Sequence, residues 1–237
     1  MTGKKFLQKI IPIFSLALSL LILPENHILV LAQTTSISTS RKTRTTSTYT
    51  PRKKKKVIKS RVLSAGSRGC TKANLRDARL HLLAPENHVG MTNSSHPTFF
   101  WQVTANSPVQ IRFTLVEPGG LEPIVDFQQL VQKSGVIKFQ LPPQLPELKQ
   151  GKPYRWSVAL ICNPKRHSQN AYAYAWIERV PESSTLTRYL KHHNADPVAV
   201  YAQEGIWYDA LAEAYTNNSS SPPFLSLLTQ LEQFNKI

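Results

Sequence analysis

Leu148-Lys149-Gln150-Gly151-Lys152-Pro153-Tyr154-Arg155-Trp156, running on through Ser157 to Cys162, is the stretch on which the fold reading turns. A Leu–x–x–Gly–x–x–Tyr run that enters a late strand is the pattern of a tyrosine corner, in which the phenol bonds back to a backbone group a few residues upstream. Such corners belong to immunoglobulin-like and fibronectin-like β-sandwiches. They speak of architecture and say nothing about chemistry. The Pro-rich run from Leu141 to Pro146 marks the connection that the corner closes.

Working outward, short apolar runs alternate with Pro, Gly and Asn from about Leu80 onward. Strands are expected over 79–83, 98–104, 109–117, 124–129, 135–141, 154–162 and 171–180. Val109, Ile111, Phe113 and Leu115 share one face while Gln110, Arg112 and Thr114 share the other, the period of two that a half-buried strand requires. Turn signals such as Pro118-Gly119-Gly120 and Asn163-Pro164 separate these runs, and no helix-length pattern lies between them. An antiparallel sandwich follows, and a parallel α/β sheet does not. Trp101 and Trp156 read as core, with an exposed aromatic binding platform as the competing reading.

After Val180 the period changes to that of helices. Pro181-Glu182-Ser183-Ser184 starts one, with Leu186, Tyr189 and Leu190 at helical spacing. Asp196-Pro197 offers an N-cap and a first-turn proline for a second. Trp207 to Tyr215 continues beyond Gly205, and Pro222 to about Phe234 forms the last helix, with Phe224, Leu227, Leu228 and Leu231 on one side. The segment Tyr201 to Leu211 is similar to the helix–turn–helix core of one tetratricopeptide (TPR) repeat, and one repeat is too few for a solenoid groove. The fold class expected is mainly β, α+β overall: a sandwich over 69–181 and a helical cap over 182–237 with a TPR-like hairpin.

The N-terminal region reads differently. Lys4, Lys5 and Lys9 precede the apolar run Ile10–Leu23, and Val30-Leu31-Ala32 offers small residues before Gln33. This is the layout of a signal peptide, 1–32, cleaved between Ala32 and Gln33. A retained membrane anchor over 10–32 is the alternative. Glu25 within it would cost about 2.5–3.5 kcal/mol, and the clean run is shorter than the roughly 20 residues a span needs. Export places Cys70 and Cys162, the only two cysteines, in an oxidising compartment, where a disulfide is the simplest outcome. Two free thiols with a metal or redox role are the alternative.

The net charge is +15, and its distribution decides its meaning. Arg41 to Arg61 holds ten Lys or Arg and no acid, whereas Leu80 to Ile237 holds twelve of each sign. No basic face for nucleic acid is implied on the folded part. Between Thr34 and Thr50 twelve of seventeen residues are Ser or Thr, so 33–68 is expected to be a disordered arm. Arg52, Lys53, Lys54, Lys55 and Lys56 are candidate ligands for anionic lipid or a cell-wall polymer. A passive tether is the other reading of the same run.

Several stretches in this order resemble the cyanobacterial family of exported proteins described as a domain of unknown function, DUF928. They are Arg68-Gly69-Cys70, Pro85 through Gly90 to Thr92, Pro97 to Trp101, Gly151 with Tyr154-Arg155-Trp156, Leu160 to Pro164, Trp176 to Val180, and Gly205-Ile206-Trp207-Tyr208-Asp209-Ala210-Leu211. The resemblance covers about Gly69 to Tyr215. It implies a periplasmic or envelope location in a cyanobacterium, and it brings no activity, substrate or catalytic residue.

Signatures of chemistry are sparse. No Gly-x-Ser-x-Gly elbow, phosphate loop or dinucleotide fingerprint is present. Of the histidines, His27 leaves with the leader, His81, His88, His96 and His167 are scattered, and His192-His193 ends a helix. No HExxH or paired ligand spacing exists, so no catalytic, cofactor or metal residue is expected. Glu178-Arg179 reads as a solvated strand pair. Pro24-Glu25-Asn26-His27 recurs as Pro85-Glu86-Asn87-His88, which is read as chance. The expected role is a non-catalytic adaptor for another envelope protein. The alternatives are attachment to anionic lipid or envelope polymer through the arm, and an envelope hydrolase.

Overall fold

Alternation turns directly into topology. The computed structural model describes residues 47–52, 70, 75–166, 169–191, 195–215 and 219–235. All of them fall in one unit, Thr43–Ile237. The order is β1 (Arg79–Leu82), β2 (Gly90–Thr92), β3 (Thr98–Thr104), β4 (Val109–Val116), β5 (Val125–Val131), β6 (Gly135–Gln140), β7 (Pro153–Leu160), β8 (Ala171–Arg179), then α1 (Ser184–Lys191), α2 (Pro197–Gln203), α3 (Trp207–Ala214) and α4 (Pro222–Asn235). The chain is therefore mainly β, with a helical C-terminal part.

Two sheets form, β1-β3-β6 and β2-β8-β7-β4-β5. They meet through aromatic rings: Phe113 of β4 lies 5.2 Å from Phe99, 5.6 Å from Trp101 and 4.6 Å from Phe139, centroid to centroid. Phe99 also meets Trp156 of β7 at 5.2 Å. Trp101 and Trp156 are fully buried, so the platform reading of these two falls. Strand β3 carries the run Thr98-Phe99-Phe100-Trp101 because both of its faces are covered. Phe99 and Trp101 face the larger sheet, while Phe100 meets Tyr215 and Phe224 of the helical part. Such a strand reads as a continuous apolar run rather than an alternating one.

The corner that anchored the sequence reading is present. Lys149 N–H donates to the Tyr154 hydroxyl at 3.0 Å, and Leu148 is buried. Gly151 has φ +73°, which a side chain would resist, and its N–H donates to the Arg179 carbonyl at 2.8 Å. Cys70 and Cys162 are joined by a disulfide with 5.2 Å between their Cα atoms. Asp196 caps α2 by accepting from Val198 N–H at 3.1 Å.

Three expectations need correction. Strand β2 was not foreseen, and it pairs with β8 in parallel (Gly90↔Ile177 to Thr92↔Arg179), so the larger sheet is not purely antiparallel. No hairpin joins β2 to β8, and so no turn dictates their relative direction. Arg179 is not a solvated partner of Glu178. Its guanidinium donates to the carbonyls of Asn93 (3.4 Å) and Leu148 (2.9 Å) and to Glu147 Oε2 (3.1 Å), tying the end of β8 to the corner and to the segment after β2. The third concerns the arm. Within 33–68, Ser47–Arg52 is packed against the helices, with Tyr49 2% exposed. A Ser/Thr-rich average conceals one aromatic residue that has a pocket to fill.

Candidate functional site

Residues 205–211 dock the helices onto the sheets, and each does so through an identifiable contact. Gly205, at φ +71°, lets the chain turn from α2 into α3. Trp207 is buried, and its indole N–H donates to the Leu83 carbonyl at 3.0 Å. The Tyr208 hydroxyl accepts from Trp156 Nε1–H at 2.7 Å and donates to the Trp176 carbonyl at 3.1 Å, so it bridges β7 and β8 from the helix side. Burial raises its pKa, against the Trp156 hydrogen bond that lowers it. Gly90 of β2 lies under the same ring: a Cβ there would sit 2.6 Å from Tyr208 Cε2. Asp209 accepts from Asn93 N–H at 3.2 Å. Burial pushes its carboxyl up to about 6, opposed by hydrogen bonds from the Thr92 side chain and from backbone N–H groups including those of Asn93 and Ser94. This cluster is cement between helices and sheet.

A second surface breaks the usual pattern of a solvated sheet face. Apart from the exposed Leu130, the outward face of β4 and β5 carries polar side chains paired across strands: Gln110 with Gln128, and Arg112 with Asp126. On β8 the sequence Ala171-Tyr172-Ala173-Tyr174-Ala175-Trp176 does the reverse of what burial favours. Its alanines face the core, and Tyr172, Tyr174 and Trp176 face outward. Tyr172 is 51% exposed. Opposite these rings β7 presents Ala159, Ser157 and Arg155 in register, and the Arg155 guanidinium lies 5.9 Å from the Tyr174 ring centre. An outward aromatic row, exposed at Tyr172 and half-buried at Tyr174 and Trp176, on a strand that keeps small residues for its core is an informative departure. The alternating Ala-aromatic text of 171–176 is its signal in the sequence.

The third surface is the one that Ser47–Arg52 occupies. Ser47 and Tyr49 point inward while Thr48 and Thr50 point out, the alternation of an extended segment. The Gln230 amide of α4 grips its backbone twice, accepting from Tyr49 N–H (2.7 Å) and donating to the Ser47 carbonyl (2.7 Å). Thr50 N–H donates to the Ala202 carbonyl at 3.0 Å, and Arg52 Nε–H donates to the Glu204 carbonyl at 2.8 Å. Both carbonyls lie at the end of α2, and that of Ala202 also accepts from Gly205 N–H at 3.1 Å. The Arg52 guanidinium also lies 3.5 Å from Glu204 Oε2. The Tyr49 ring meets Trp207 edge-on at 4.9 Å and Phe234 at 5.8 Å. Its hydroxyl is 2.8 Å from His88 Nε2. Asn87 Nδ2 donates to the Phe234 carbonyl, which turns Asn87 Oδ1 toward His88 Nδ1; His88 therefore donates from Nδ1 and accepts the Tyr49 proton at Nε2. Burial raises the Tyr49 pKa. Carboxylates surround this end of the cap: burial lifts Tyr201 to about 12, with further contributions from Asp209, Glu213 and Glu182.

Of the residues singled out in the sequence, Arg52 pairs with Glu204. Lys53, Lys54, Lys55 and Lys56, the cleavage pair Ala32 and Gln33, and His27, His167, His192 and His193 lie outside the described residues. His81 lies on β1, where burial lowers its pKa against the pull of Glu232. His96 bonds the Leu145 carbonyl and the Ser95 hydroxyl. Among the described residues, no three His, Cys, Asp or Glu side chains gather as a metal set. No helix among them is long and apolar enough to cross a membrane.

No curated protein matches the sequence. The family model described as Domain of Unknown Function (DUF928) does match, over residues 63–236, a span that takes in both sheets, all four helices and the 205–211 cluster, and the chain accordingly belongs to that family.

Proposed function

We propose that this chain is a non-catalytic protein-binding module of the cell envelope in a cyanobacterium, exported by its leader and stapled by its disulfide. The observation that carries the reading is the outward row Tyr172, Tyr174 and Trp176 on β8, beside a lane of small residues and Arg155. Tyrosine, tryptophan and arginine are the side chains that concentrate binding energy at interfaces. In this reading the two facing sheets form an immunoglobulin-like sandwich, a view supported by the Tyr154 corner, and α2–α3 is a single TPR-like hairpin used as a cap. The test is capture from an envelope extract with the full exported protein and with a Tyr172→Ser/Tyr174→Ser variant of unchanged Tm. A partner retained by the first and reduced at least about tenfold by the second is expected, since two interface tyrosines at 1 kcal/mol or more each exceed that factor. No reproducible partner, or equal capture, ends the reading.

Charge distribution favours one further role. The ten basic residues of Arg41–Arg61 stand ahead of a balanced Leu80–Ile237, which suits attachment to anionic lipid or a cell-wall polymer. Binding to vesicles containing anionic lipid is expected to weaken with salt and to vanish when Lys53–Lys56 are replaced by Ser. Persistence after that replacement counts against it.

A further inference from the structure

The surface under Ser47–Arg52 has the chemistry of a peptide receptor. Gln230 reads backbone N–H and C=O two residues apart, an amide grip that asks only for an extended chain. The end of α2 supplies carbonyl acceptors for the next backbone N–H and for a cation, and Glu204 supplies the charge to hold that cation. One aromatic pocket, closed by Trp207, Phe234 and His88, takes a ring and bonds its hydroxyl. Gly205 makes the approach feasible, because a Cβ at that position would lie 2.7 Å from the Thr50 carbonyl oxygen. Backbone contacts free of side-chain identity, one anchor ring and one cation three residues later together constitute a recognition site for an extended segment. The occupant also lies ahead of residues 63–236, so the receptor is built from the part of the chain that the family model matches, while the strap that fills it is not.

We propose that this cradle is a binding site for an extended basic segment of a partner protein bearing a tyrosine with an arginine three residues later, and that Ser47–Arg52 is its built-in competitor. Glu204, which holds the Arg52 guanidinium, matches the basic character. Arithmetic selects a partner over a second copy. A strap tethered to its own cradle is present at an effective concentration on the order of millimolar, which an identical segment on another copy at micromolar concentration does not overcome. A partner segment that adds contacts of its own does. The proposal stands on different residues from the β8 face, so either fails without the other.

The test uses the full chain and a capped synthetic peptide of residues 46–52, Thr-Ser-Thr-Tyr-Thr-Pro-Arg. Tyr49→Ala empties the anchor pocket, and titrating the peptide should then change tryptophan fluorescence through Trp207. The emptied chain is expected to bind at least about tenfold more tightly than the wild type, since the wild-type strap competes. Peptides with Tyr or Arg replaced by Ala should bind more weakly to it. Arg52→Ala, which keeps the anchor ring and removes the cation, gives an intermediate gain and serves should Tyr49→Ala not fold. Absence of peptide binding to a folded variant up to millimolar peptide overturns the proposal, as does equal binding by wild type and variant. A wild-type dimer that forms at micromolar concentration and dissociates on Tyr49→Ala assigns the cradle to a second copy and overturns it too.

Discussion

Replacing Tyr208 by Phe removes one oxygen and no carbon, which makes it a clean probe of how the helices are fixed to the sheets. The ring keeps its place over Gly90, so no cavity opens. Two buried groups lose their partner: the Trp156 indole N–H, 2.7 Å away, and the Trp176 carbonyl, 3.1 Å away. An unsatisfied buried polar group costs about 1–3 kcal/mol. The indole has no second acceptor as a simple substitute, whereas the carbonyl sits within the β7–β8 ladder, so the sum is about 2–4 kcal/mol. For a unit of this size 1 kcal/mol moves Tm by roughly 2–4 °C, which puts the expected fall at roughly 4–16 °C. Urea unfolding followed by tryptophan fluorescence gives the free energy directly. A double-mutant cycle with Trp156→Phe should recover a coupling of about 1–2 kcal/mol, because the partner is then absent in both arms. A Tyr208→Phe chain within about 0.5 kcal/mol of the wild type, or strict additivity in the cycle, would refute the bridge as a stabilising contact.

Other outcomes follow from neighbouring contacts. Gly90→Ala forces a Cβ to 2.6 Å from the Tyr208 ring, and a loss of about 1–3 kcal/mol in urea unfolding is expected; no loss would mean that β2 sits farther from α3. Asp209 ionises at about 6 when folded against an ordinary 3.8, so the native state holds its proton more tightly than the unfolded chain. Stability from this group is therefore full below about pH 4 and is lost as pH rises to about 6, by at most about 3 kcal/mol; Asp209→Asn should flatten that slope, and an unchanged slope refutes the assignment. Cys70→Ser opens a loop of 93 residues and should lower stability by up to about 4–5 kcal/mol under non-reducing conditions, with a reductant abolishing the difference from wild type.

What the sequence made legible was whatever a local pattern encodes. The Tyr154 corner, the alternation of β4, the Asp196 cap and the disulfide each depend on residues near one another or on a pair with no competitor. What escaped depended on distant partners. Gly90-Met91-Thr92 is too short for a period to show, and it is a strand only because β8 lies beside it. Tyr49 sits in a window whose Ser/Thr content predicts disorder, and the ring that receives it lies at Trp207. Tyr201–Leu211 was legible as part of a cap on the sheets, but its individual contacts were not: Trp207, Tyr208 and Asp209 reach Leu83, Trp156 with Trp176, and Asn93. On β8 the period is plain in the sequence, and so is its sense: Ala inward and aromatic outward. The partner of Arg52 was not legible either, since Glu204 lies 152 positions later.

The parallel union of β2 with β8 also sets a timetable. A ribosome or a translocation pore delivers residues 90–92 well before residues 177–179, so the first partner in this pair must wait while the 84 residues between them emerge. Pairings across such separations close slowly and leave apolar surface uncovered meanwhile. Here that surface includes Phe99, Trp101 and Phe113. A polypeptide cut short before Arg179 would present those rings to chaperones and proteases, which gives quality control a simple way to distinguish finished molecules from unfinished ones.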